Sequence, residues 1–276
     1  AKATRLLREA EHGLSRLDLA GEMVPSIEWF LYAFVRKEAV LSSQIEGTQA
    51  SLVDLLRVEA GASPEGATEE DVEEVSNHLA ALAYARGQIS RKGGLPLSIR
   101  LLNQTHRRLL KGVRGADKRP GEIRRSQNWI GGTRPGNAAF VPPPSREVAR
   151  LLGDLERYIH GTDPLPPLVR AALVHAQFET IHPYLDGNGR IGRLLVALLL
   201  AHWGLLSRPL LYLSLFFKQR RAEYYDRLGR VRTDGDWEGW TAFLLEGVAT
   251  TAEEAVRDAR SLFALVAQDR TRLLGS

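Results

Sequence analysis

Apolar residues recur at intervals of three and four through most of this chain of 276 residues, while the alternation of β-branched residues that marks a strand is scarce. A chain patterned in this way folds mainly as α-helices, each burying one stripe. The pattern predicts helices over 29–45, 52–60, 69–89, 97–110, 145–160, 167–181, 191–204 and 218–231, and a last one from Trp237 to near the end. In the first of these Phe30, Phe34, Ala39 and Leu41 sit among charges, and Gly47 is the stop. Residues 61–67, GASPEGA, form a linker, and acidic residues open the helix after it, where the helix dipole favours them. The longest apolar run, Leu194–Leu206, is closed by Arg193 and Arg208 and falls short of the roughly 20 residues that span a bilayer, so it reads as a buried core helix. Residues 121–144 break the pattern with short strand-like runs around Gly-Gly and Pro-Gly, then three prolines, and predict a β-hairpin or flap. The expected fold is all-α with a small β-hairpin flap: an N-terminal helical region over 1–66, a core over 67–250 with the flap at 121–144, and a C-terminal helix over 251–276.

Composition narrows the function. With 44% hydrophobic and 25% charged residues the chain is an ordinary globular one, which excludes disorder and fibre. Its 37 basic and 33 acidic residues leave a net charge of +4, far too thin for a protein that coats nucleic acid, so anion binding must be local. Cysteine is absent, which excludes disulfides, thiol nucleophiles and thiolate metal sites. The N-terminus mixes charges with leucines rather than joining a basic stretch to an apolar one, so neither signal peptide nor membrane attachment is expected and the expected address is cytoplasmic.

The chemistry is concentrated in AQFETIHPYLDGNGRIGRLLVALLL, residues 176–200. Pro183 should hold His182 in extended geometry, stop the preceding helix and expose the imidazole at a chain reversal. Asp186, Gly187, Asn188 and Gly189 tolerate left-handed backbone, so successive N–H groups can ring a concavity before the next helix. A helix N-terminus attracts anions, and Arg190 and Arg193 add two guanidinium groups three residues apart on one face. Asp186 at the edge of such a cradle suits Mg²⁺ shared with substrate phosphates, and His182 stands near enough to move a proton. Each part alone is commonly a turn or a solvated face; their union within twelve residues points to transfer of a phosphorus-centred group.

HPYLDGNGRIGR (182–193) resembles the signature of the Fic domain, His-Pro-Phe-x-Asp/Glu-Gly-Asn-Gly-Arg-x-x-Arg, with Tyr184 where phenylalanine is usual. The resemblance implies a helical protein that transfers AMP from ATP to a protein hydroxyl of Tyr, Thr or Ser and releases pyrophosphate. It implies His182 as general base, Asp186 as the Mg²⁺ ligand, Gly187, Asn188 and Gly189 as the anion hole, Arg190 on the α- and β-phosphates and Arg193 on the γ-phosphate. Residues 36–56 resemble the region of Fic proteins that carries an inhibitory helix, marked Ser/Thr-x-x-x-Glu-Gly/Asn and matched here by Ser42, Glu46 and Gly47 within a helix of about 28–47. Glu46 would pair with Arg193 and deny it to the γ-phosphate.

By the same resemblance Ile130, Gly131 and Gly132, with Phe140, Val141 and Pro142, form the two arms of a flap that docks the target as an added strand. Tyr224, Tyr225 and Leu228 are candidates to line the adenosine pocket. An asparagine used by some relatives has no counterpart, since Arg232 or Thr233 stands there, and nucleotide preference stays open. The resemblance runs from about Leu14 to Val248; longer relatives continue into a winged helix for which this chain ends too soon, so it is expected to be a short member or a trimmed one, and no nucleic-acid partner is expected. Three alternatives remain: transfer of another phosphate-containing group, removal of AMP with Glu46 orienting water, or a nucleotide-sensing or DNA-associated regulatory module. Monomer and homodimer are both open, and with them whether Glu46 acts within its own chain.

Overall fold

The computed structural model describes residues 2–23 and 27–274, with side chains described for 2–22 and 31–268. The predicted packing of Phe30 therefore lies outside the described side chains. Eleven α-helices run in order among the described residues: α1 (Lys2–Met23), α2 (Ile27–Ile45), α3 (Leu52–Glu59), α4 (Glu69–Ser90), α5 (Ile99–Leu109), α6 (Ser145–His160), α7 (Pro167–Ile181), α8 (Asn188–His202), α9 (Ser214–Gln219), α10 (Arg221–Asp234) and α11 (Trp237–Leu274). None is long and apolar enough to cross a membrane.

α7 and α8 form the centre, buried along most of their length and joined by a turn of six residues. On one side α4, α5 and α6 pack against them through Leu101, Leu109, Val148, Leu152, Phe178 and Leu195. On the other lie α1, α9, α10 and the 38-residue α11, which runs unbroken through position 251. Leu6, Ala10, Leu14 and Leu17, spaced by four, four and three, give α1 the stripe it lays on Val248, Ala252, Ala255 and Val256 of α11. Gly13 allows the close approach, because a Cβ there would stand 3.1 Å from that of Ala252. A smaller core of Ala39, Val40, Ala50, Leu55, Val72 and Val75 holds the end of α2 against α3 and α4.

Local chemistry explains the helix starts. Ser51 with Asp54, and Thr68 with Asp71, form capping boxes at α3 and α4. Asp54 also accepts the backbone N–H groups of Glu65 and Gly66, both at 2.9 Å, so the 61–67 linker is tied down and the Asp54 carboxyl is held well below the usual range by those bonds. The helix expected over 218–231 is instead two, broken at Arg220, with Glu38 of α2 accepting from the Ser214 N–H at the start of α9.

The predicted β-hairpin over 121–144 is not formed. No strand appears among the described residues; Ile130 and Phe140 make one isolated antiparallel bridge, exchanging bonds of 2.9 and 3.1 Å. Gly131 and Gly132 both turn left-handed, with φ of 68° and 70°, and leave the ladder at once. The side chain of Asn137 then gathers the N–H groups of Thr133 and Arg134 into a tight loop, and Pro142, Pro143 and Pro144 have no N–H to extend a second arm.

Candidate active site

The turn between α7 and α8 is built by distant groups that capture its carbonyls. His182 caps α7 in the left-handed region, φ 49° and ψ 63°, rather than in the extended geometry expected before Pro183. Two braces hold this sparsely populated conformation. The Arg124 Nε donates to the His182 carbonyl at 2.9 Å and its N–H to the Pro183 carbonyl at 2.9 Å, while Asn128 Nδ2 donates to the carbonyl of Tyr184 at 2.9 Å. His106 closes the other side. Its Nδ1 accepts from the Gly121 N–H at 2.8 Å, which leaves Nε2 as the donor to the Asp186 carbonyl at 2.9 Å. Burial pushes the His106 pKa down to about 4, so the ring is neutral, and it stacks on Tyr184 at 3.9 Å. Tyr184 is thus part of the turn's foundation, its hydroxyl donating to Asn103.

Gly187, left-handed with φ 75°, starts α8, and no side chain caps that helix. The first N–H groups of a helix have no intrahelical partners, so this terminus is open to an anion. Gly189 lies in the first turn; Asn188 turns its amide inward instead, accepting from the Tyr184 N–H and donating to the Tyr184 carbonyl, both at 2.8 Å. The cradle is therefore made by backbone rather than by the Asn188 side chain. Asp186 accepts the Gly187 N–H through Oδ1 at 2.6 Å, and its Oδ2 rests against Gly115, where a Cβ would leave it no room.

Arg190 and Arg193 follow on α8, both buried. Arg190 meets Glu74 of α4 at 3.4 Å and Asp186 at 3.8 Å. Glu74 is shared, since Arg114 lies 3.2 Å away and the Thr48 hydroxyl donates to it at 2.7 Å. Arg193 reaches across to α2. Its Nε donates to Ser42 Oγ at 2.9 Å, and Nη2 donates to both the Ser42 carbonyl and Glu46 Oε1 at 2.8 Å. Ser42 and Glu46, four apart, present the one face the sequence predicted, and Gly47 turns the chain away with φ 101°. The Glu46 carboxylate lies over Gly189, touching the place a Cβ would fill. Burial alone would raise its pKa; the charge and hydrogen bond of Arg193 outweigh this and hold it below the usual carboxylate range.

A cleft of about 520 Å³ opens onto part of this set, lined by Glu46, His182, Gly189, Arg193, Ile130 and Gly131 among others, while Asp186, Asn188 and Arg190 lie outside its lining. Tyr225 stands at its rim, partly exposed. Tyr224 also borders it but is a core residue, its hydroxyl 3.0 Å from His175 Nε2 and its ring stacked on Phe217 at 4.5 Å. Arg232 sets its guanidinium 4.3 Å over the Phe140 ring and donates to the Glu179 carbonyl at 3.0 Å, so it ties α10 to both the bridge and the end of α7. Gly132, although predicted with the flap arm, faces Asn137 rather than the cleft. Burial, followed by the nearby Arg232 charge, pushes the His182 pKa down to about 4, leaving a neutral imidazole with a free lone pair.

The residues suited to a hard cation reduce to Asp186. No group of three or more His, Asp or Glu among the described residues is placed to hold a metal. A single carboxylate beside an anion cradle fits Mg²⁺ whose remaining ligands are phosphate oxygens and water.

Residues 4–86 match the profile described as Fic/DOC family N-terminal, and residues 96–200 match that described as Fic/DOC family. The chain belongs to the Fic/DOC family. Among curated relatives, it is 29% identical over 212 residues to the protein adenylyltransferase Fic of Drosophila grimshawi and 28% identical to that of Drosophila melanogaster. The matches cover 76% of this chain and 40% and 39% of those proteins, so the chain spans about two-fifths of their length. Among solved structures, a Fic family protein from Desulfovibrio desulfuricans superposes with a TM-score of 0.75 at 24% identity, covering 94% of this chain and 75% of that one. Fic-1 of C. elegans superposes with a TM-score of 0.69 at 23% identity, covering 96% and 73%. These likenesses show the shared fold.

Proposed function

We propose that the chain is a protein adenylyltransferase that moves AMP from ATP to a hydroxyl of a protein target, and that Glu46 holds it inactive. The observation that carries the reading is the Glu46 carboxylate itself, seated over the first turn of α8 and paired with Arg193: an anion already sits where N–H groups and a guanidinium suit a phosphate. The curated relatives named protein adenylyltransferase support the choice of AMP.

In the reaction, a Ser, Thr or Tyr hydroxyl enters beside the Ile130–Phe140 bridge. His182 takes its proton at Nε2 while the oxygen bonds to the α-phosphorus; the bond from that phosphorus to the bridging oxygen breaks, and pyrophosphate leaves with the electron pair. The N–H groups of Asn188 and Gly189, together with Arg190, receive charge on the α- and β-phosphates, and Arg193, once free of Glu46, holds the γ-phosphate. Asp186 would hold Mg²⁺, which supplies further neutralisation of the phosphates when bound.

The test is intact-mass spectrometry of Glu46→Gly incubated with ATP and Mg²⁺, alone and in lysate. Addition of one AMP to the chain or to a partner is expected; no adduct, with nucleotide binding intact, contradicts the reading. Arg232, standing in the nucleotide cleft, favours asking also for UMP or another phosphate-containing group, which the mass separates. His182→Ala should lower transfer by about 10²- to 10⁴-fold while leaving ATP affinity in place, the usual range for loss of a general base. Undiminished transfer would overturn that role.

A further inference from the structure

Most polar groups around the α7–α8 turn have partners; of the buried side-chain atoms there that do not, Asn128 Oδ1, Arg190 Nε, Glu179 Oε1 and His182 Nδ1, the last two belong to side chains that face each other. Glu179, in the last turn of α7, is only 5% exposed, and its Oε1 accepts no hydrogen bond. His182, three residues on, makes no well-formed hydrogen bond at Nδ1, although the Glu179 carbonyl also lies against the ring. The two side chains face each other, with Glu179 Oε2 3.9 Å from His182 Nδ1, and both border the cleft. Gly192 makes room for the carboxylate, since a Cβ at that position would collide with Glu179 Oε1. A buried acceptor beside a buried ring nitrogen, both unpaired, is costly unless the pair closes at some stage of function. Hydrogen bonds of this kind often tighten only when the reacting complex forms.

We propose that Glu179 is the positioning residue for His182, accepting its Nδ1–H so that Nε2 faces the target hydroxyl with a lone pair, and balancing the imidazolium that forms when the proton is taken. The inference rests on His182 being the base in the proposed transfer.

The charges facing the pair explain why such a partner is needed. Burial, Arg232 from α10 and Arg124 from the loop before α6 all oppose a positive charge on His182, while Arg193 from α8 and Arg232 act on Glu179. His175 of α7 is neutral, its pKa pushed down to about 4 by burial, and the Tyr224 hydroxyl is held well above its usual range by burial. Glu46 from α2 is the other nearby anion, but in the proposed reaction it must withdraw from Arg193. Glu179 then remains as the carboxylate beside the ring. Burial, against the pull of Arg193, pushes its pKa up to about 7, so it is ionised in neutral to basic solution and protonated below.

The experiment compares Glu46→Gly with Glu46→Gly/Glu179→Gln and Glu46→Gly/Glu179→Asp. In the parent variant transfer should rise with pH through a midpoint below about 7, because Glu46, one of the charges that raise the Glu179 pKa, is gone. Glu179→Gln should abolish that rise and lower kcat at pH 8 by on the order of 10- to 100-fold, with KM for ATP little changed, and Glu179→Asp should restore part of it. The His182 ring is followed in parallel by histidine NMR without substrate, where Glu179→Gln should lower its titration midpoint. A kcat loss with an unaltered pH profile and an unaltered His182 titration would assign Glu179 a purely structural role and overturn the proposal. Absence of transfer in Glu46→Gly itself would instead count against the proposed function, while the NMR titration would still decide whether Glu179 acts on His182.

Discussion

Arg190 and Arg193 lie three residues apart on α8, both are buried, and each meets one glutamate from the N-terminal helices. Their surroundings differ sharply. The partner of Arg190, Glu74, has 3% of its side chain exposed, sits in the second turn of α4 and also receives Arg114 and Thr48. The partner of Arg193, Glu46, has 30% of its side chain exposed, sits in the turn just past the end of α2 and has its carboxylate pointed into the cleft. Arg193 also keeps two oxygens of Ser42 as acceptors, so removing Glu46 does not strand it. One pair is part of the frame, and the other is the one the proposed function treats as a latch. The same chemistry, arginine with glutamate, serves both because burial and sharing decide whether a pair can open.

The largest effect expected from this contrast is on Glu74→Ala. Breaking a buried pair at one partner costs about 3–5 kcal/mol, which in a chain of this size lowers Tm by roughly 5–9 °C in calorimetry. A change of only a degree or two would place Glu74 with Glu46 and erase the distinction. Glu46→Ala, at a partly exposed carboxylate, should cost about 1 kcal/mol or less. A separate signal lies in the pH dependence of Tm. Glu38 and Glu179 have pKa values pushed up to about 7 by burial, above their unfolded values, so the stability they contribute is full in acid and is lost as pH rises through about 7. Glu46, held low by Arg193, acts in the opposite sense, its contribution being present above its unfolded value and lost as pH falls below it. Glu38→Gln with Glu179→Gln should flatten the decline in Tm between pH 5 and 8; an unchanged decline would deny that these carboxyls cause it.

What could be read from the sequence was whatever is contiguous. The 182–193 string holds the turn, the start of α8 and both arginines in one stretch, and the spacing of Ser42 and Glu46 brings both to Arg193. The frame is not contiguous. Glu74 lies 116 residues from Arg190, Arg124 lies 58 from His182 and His106 lies 80 from Asp186, and each is an ordinary residue until the fold brings it to a carbonyl or a charge. Glu179 was within the informative stretch, yet nothing in its type separates it from a solvated carboxylate; burial beside His182 does. Tyr224 has the spacing of a pocket residue, but the packing of Phe217 and His175 takes it into the core. The hairpin was misread because Gly-Gly is a turn signal only when the flanking residues can ladder, and here left-handed glycines and three prolines prevent it.

If Glu46 keeps Arg193 from the nucleotide, as proposed, the rate at which α-labelled ATP labels protein separates the parent chain from Glu46→Gly when the two are measured side by side at equal concentration and with folding checked by Tm. Labelling at least tenfold faster is expected in Glu46→Gly, abolished by adding His182→Ala. Equal labelling of the parent chain and Glu46→Gly would contradict that role of Glu46.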